Sequence, residues 1–185
     1  HHMAEDTTVS HITTVQHKFN KLAEDNMTLD QAQTLWNLTE GKNIVERLNI
    51  LANYIDSLNI DDQKKLLGCI EEYIPENMMA VALSGKHPDD RVNQKMLDIL
   101  ARYDRRGWKA YIAGNDNVAP ETLDFLVDRN ETWLLVYVAE NPVATPETLR
   151  KIFDKTSDRP VIRDTVAKNE KTPQDILEKL AHSKE

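Results

Sequence analysis

Between Arg102 and Tyr111 the chain gathers Arg102, Tyr103, Arg105, Arg106, Trp108, Lys109 and Tyr111, the side chains best suited to recognition in the whole sequence. Cationic groups beside aromatic rings can hold phosphates while the rings stack on bases, as in single-strand nucleic-acid binders. The same residue types are enriched at the hot spots of protein interfaces. Charge separates these chemistries. With 23 Lys+Arg against 31 Asp+Glu the chain carries a net −8, whereas a nucleic-acid footprint is a continuous basic stripe. The expected partner is therefore another protein, met by Arg102, Tyr103, Arg105, Arg106, Lys109 and Tyr111. Nucleic acid is the alternative. A third outcome is internal: residues 1–80 carry 6 basic and 13 acidic side chains, against 17 and 18 in residues 81–185, so the acidic region could satisfy the cluster itself.

Other chemistry is thinly represented. The single cysteine, Cys69, excludes an internal disulfide and any all-thiolate metal site, and its place on an apolar helix side suggests an inert thiol. His11, His17, His87 and His182 lack ligand spacing, and adjacent pairs such as Asp61/Asp62 and Glu71/Glu72 point apart on a helix. No phosphate loop, nucleophile elbow or HExxH motif is present. No cofactor, metal or catalytic residue is expected, and an enzyme would have to use a site invisible in the sequence. No apolar run approaches the roughly 20 residues of a membrane span. The first three residues, His1-His2-Met3, read as a tag remnant, and with no export signal the expected location is cytoplasmic.

The elements behind these residues read as helices throughout. In residues 4–80, Ile12, Val15, Phe19 and Leu22 share a helical face, and Thr28 with Gln31 forms a capping box before Leu29, Ala32, Leu35 and Trp36. Ile44, Leu48, Leu51, Ile55 and Leu58 predict one amphipathic helix of about four turns. Asn59 or Asp61 caps the next, whose stripe is Leu66, Leu67, Ile70, Tyr73 and Ile74 and which Pro75 stops.

Residues 81–185 repeat. Ile112-Ala113-Gly114-Asn115 recurs as Val138-Ala139-Glu140-Asn141 and Val166-Ala167-Lys168-Asn169, and each Asn is followed by a proline: Pro120, Pro146, Pro173. Four residues before each Ile/Val stand Trp108, Leu134 and Ile162, which should be equivalent buried positions, and four earlier Asp104, Asn130 and Asp158, natural N-caps. Val81-Ala82-Leu83-Ser84 with Pro88 reads as a degenerate fourth copy, Ser84 replacing Asn. Each repeat is a helix pair, the prolines opening one helix and the second short and partly 3₁₀. Asn115, Asn141 and Asn169 can terminate that short helix in the left-handed region or bond backbone between repeats, a structural task in either case.

With these residues the chain resembles the leucine-rich repeat variant family, whose pattern runs Asp, Val-Arg, two free residues, Val-Ala-x-Asn-Pro, then Thr-Pro and Leu-x-x-Leu. The best copy is Asp158, Ile162-Arg163, Val166-Ala167-Lys168-Asn169 and Thr172-Pro173; the middle copy keeps Asn141-Pro142 and Thr145-Pro146 but has Leu135 for Arg; the first has Trp108-Lys109 and, after Asn115, Asp116 in place of Pro. The resemblance covers about residues 104–180, or from 81 with the degenerate copy. It implies an all-α, solenoid-like, right-handed superhelix of alternating α and 3₁₀ helices behind an N-terminal helical region. The cysteines of the iron–sulfur segment found in some relatives are missing here. The family has no single activity, and helical arrays serve as binding scaffolds, so a non-catalytic protein-binding role is expected.

Overall fold

The computed structural model describes residues 27–183 and His17; apart from His17, the helix expected over 9–25 lies outside the described residues. The fold is all-α: eleven α-helices and one 3₁₀ turn, with no strand among the described residues. None of these helices is long and apolar enough to cross a membrane. The chain divides into two compact units, His1–Ala82 and Leu83–Glu185.

In the first unit α1 is Leu29–Asn37, opened by the Thr28 capping box: the Gln31 N–H donates to Thr28 Oγ1 and the Thr28 N–H to Gln31 Oε1. Helix α2, Ile44–Ala52, starts at the Asn43 cap. The expected four-turn helix is shorter than its apolar stripe, because Asn53 and Tyr54 bond back to Ile50 and Leu51 and tighten the chain into the 3₁₀ turn Ile55–Ser57. Leu48, Leu51, Ile55 and Leu58 are nevertheless all buried. Helix α3, Ile60–Tyr73, is capped by Asn59, and Ile74 leaves it in an extended conformation, as a residue before proline must. Tyr73, expected on the buried stripe, is 46 % exposed. Asp62 and Lys65 of α3 hold the Met27 N–H and C=O, and α1 packs on α3 around Leu35, Trp36, Leu66 and Ile70. Helix α4 is Glu76–Ser84.

The second unit continues through α5 (Gln94–Arg102), α6 (Arg106–Ala113), α7 (Pro120–Asp128), α8 (Thr132–Glu140), α9 (Pro146–Lys155), α10 (Pro160–Lys168) and α11 (Gln174–Ser183). Two layers result: α5 packs on α7 and α7 on α9, while α6 packs on α8 and α8 on α10. Trp108, Leu134 and Ile162 are all buried between them. The second helix of each repeat is not the expected 3₁₀ segment. Neighbours on both sides support eight or nine residues of regular α-helix, whereas 3₁₀ geometry seldom extends beyond a turn.

Two assignments of register change as well. Asp104 (φ 69°) and Asn130 (φ 58°) are not N-caps; they end α5 and α7 in the left-handed region, which short polar side chains tolerate. The caps of α6, α8 and α10 fall one residue later, at Arg105, Glu131 and Arg159, so Asp158 is no cap either. In the degenerate copy Gly85, not Ser84, occupies the Asn column, as the hydrogen bonds below establish. Val81, expected with Ile112, is 65 % exposed, and Pro88 lies in the loop before α5, whose cap is Asn93.

Candidate interaction surface

The basic–aromatic cluster is largely consumed by its own unit. Lys109, expected to face a partner, is 3 % exposed. Its ammonium donates to Asp104 Oδ1 at 2.5 Å and to Glu131 Oε1 and Oε2 at 2.7 and 2.9 Å, and Arg129 lies 3.5 Å from Asp104. An ammonium leaves water only where carboxylates replace its hydration, and the left-handed turn at Asp104 and the start of α8 bring two to it. Burial pulls the Lys109 ammonium down, but the bonds to Asp104 and Glu131 outweigh it and hold the group above the ordinary lysine range. The bond from Lys109 in turn holds the Asp104 carboxyl below its usual range.

Arg102 pairs with Asp98 at 2.8 Å and lies 4.2 Å above the Phe125 ring. Arg105 lies 5.7 Å from the Trp108 ring centroid, and Tyr103 packs on the same ring at 5.5 Å. Asp98, Asp104 and Glu131, the ion-pair partners of Arg102 and Lys109, thus come from the repeat unit itself and not from the acidic region that was the internal alternative. The Arg106 side chain lies outside the description. Tyr111 of α6 is half-buried.

The asparagines form a ladder. Asn141 Nδ2 donates to Ala113 O and Asn115 O at 2.8 and 2.9 Å; Asn169 Nδ2 repeats this on Ala139 O and Asn141 O at 2.9 and 3.1 Å. Their Oδ1 atoms accept from the N–H two residues on, at Val143 and Lys171. Both backbones are extended (φ −77° and −78°), so the second of the two expected roles is the one realised. Asn115 starts the ladder on Leu83 O at 2.8 Å. Leu83 therefore stands where the repeats have Ala113 and Ala139, and Gly85 where they have Asn. A Cβ on Gly85 would lie 2.6 Å from Asn115 Oδ1, and its φ is +65°.

A second ladder, unread in the sequence, joins the other layer. Thr122 Oγ1 donates to Asp98 at 2.7 Å, Thr148 Oγ1 to Asp124 at 3.1 Å, and Arg150 makes a two-pronged bond to Asp175 at 2.8 and 2.9 Å. Its signal is a polar pair recurring across 24 or 25 residues, visible only once the repeat length is known. The Arg150 guanidinium holds the Asp175 carboxyl down to about 2. Lys151 bridges Asp124 and Asp128, and Lys155 donates to Asn130. The outer side of α5, α7 and α9 is thus covered by paired charges.

The opposite layer differs. Helix α8 runs Trp133-Leu134-Leu135-Val136-Tyr137-Val138-Ala139, apolar on every side. Leu134, Leu135, Val138 and Ala139 face the core. That leaves Trp133 and Val136 half-buried and Tyr137 41 % exposed, while Val161 of α10 is 72 % exposed. Trp133, Val136, Pro160, Val161 and Ile162, with Thr132, Asp158 and Arg159 at the edge, line a groove of about 810 Å³. Tyr111 stands one repeat before Tyr137 on the same side. Trp133, Val136 and Tyr137 were missed because a helix stretch apolar on every side reads as fully buried, and Val161 because it falls outside the repeat columns.

Among the described residues no group of three or more His, Cys, Asp or Glu could hold a metal ion. Cys69 is buried, and burial pushes its thiol up, with Glu72 adding to the effect. No family model, curated protein or solved structure matches the chain.

Proposed function

We propose that the second unit is a non-catalytic binding scaffold, a short array of variant leucine-rich repeats that takes a protein partner on the outward side of α6, α8 and α10. One observation carries this reading: α8 keeps apolar side chains at the surface at Trp133, Val136 and Tyr137, and Trp133 and Val136 line a groove with the exposed Val161 of α10. Contiguous exposed apolar surface of this kind marks interaction sites, and Trp and Tyr are the anchors that such sites favour. The paired charges of the opposite layer offer a partner less, because their bonds are already made. The cluster Arg102–Lys109 contributes structure to this site, with Tyr111 as its member on the recognition side. Nucleic acid is the weaker alternative, since Lys109 is enclosed and Arg102 is paired. A single buried cysteine is compatible with a reducing, cytoplasmic setting.

The test is affinity capture from the source cell with wild-type protein, Val161→Glu and Arg102→Ala, read by mass spectrometry beside a thermal melt of each. A partner retained by wild type and Arg102→Ala but lost with Val161→Glu, at unchanged melting temperature, supports this surface. The same partners on all three proteins overturn it.

A further inference from the structure

We draw no further inference here: the strongest candidate, the apolar groove between α8 and α10 lined by Trp133, Val136, Pro160 and Val161, belongs to the surface already proposed, and because Asp158 and Arg159 at its edge carry opposite charges, nothing in the structure shows what covers it.

Discussion

Asn141 reaches back over 26 residues to the carbonyl of Asn115, 2.9 Å away, and with its second N–H holds Ala113 O. One carboxamide thus satisfies two buried carbonyls that end the helix of the preceding repeat, and its own oxygen takes the Val143 N–H. All three bonds lie at a position 2 % exposed, where water cannot substitute for a missing partner.

Replacing Asn141 should therefore be costly in a particular order. Asn141→Ala leaves buried carbonyls unpaired, at about 1–3 kcal/mol. Asn141→Asp keeps the shape but sets acceptor against acceptor, and should be worse than alanine. Urea denaturation of the three proteins measures this; aspartate as stable as wild type would remove the ladder's role.

Two glycines with positive φ should respond differently to alanine. Gly41 (φ +88°) has nothing within 4 Å of a new Cβ, so Gly41→Ala should cost only the left-handed backbone, about 1–2 kcal/mol. Gly85→Ala adds a collision with the Asn115 carboxamide at 2.6 Å and should displace that group from Leu83 O. The greater loss at Gly85, with faster amide exchange at Asn117, whose N–H is held by Asn115 Oδ1, is the expected result. Equal losses would contradict it.

Adjacent positions on α8 should separate stability from recognition. Leu134 is fully buried, and Leu134→Ala should cost about 2–5 kcal/mol through lost burial and the cavity left behind. Tyr137→Ala, three residues on, should change stability by only about 0.5 kcal/mol while weakening partner capture. A Tyr137→Ala protein that melts as early as Leu134→Ala would mean that the tyrosine is a core residue.

The acid limb of the stability curve should report the ion cluster at Lys109. Asp104 and Asp175 both have carboxyls depressed in the folded state. Their contributions are present above the usual carboxylate value of 3.8 and are lost as pH falls through the lower folded values, about 2 for Asp175. Melting temperature should thus drop as pH falls from about 4 toward 2. In Lys109→Met the largest cause of the Asp104 depression is gone while Arg129 remains, and the drop should be shallower. Lys109 acts at the other end: its folded value is raised, so its contribution holds below the usual 10.5 and is lost above it. A wild-type melting temperature constant from pH 4 to 2 would refute the assignment.

The amino-acid sequence by itself determined the local rules of this protein. The capping box at Thr28, the stop at Pro75, the repeat and the buried column Trp108, Leu134 and Ile162 follow from interactions within a few residues or from which side of a helix is apolar. Helical periodicity encodes a side, and the side was legible. What that side meets was decided only by tertiary structure. Lys109 reads as a surface cation until Glu131, 22 residues away, is brought to it, and Asp104 reads as an N-cap until its backbone turns left-handed to end α5. Trp133, Val136 and Tyr137 carry no mark of exposure in the sequence, because α8 is apolar on every side from Trp133 to Ala139. The partners in both ladders lie 24–32 residues apart, a separation set by how whole repeats stack. That stacking depends on the summed packing of both layers, which spacing along the chain does not encode.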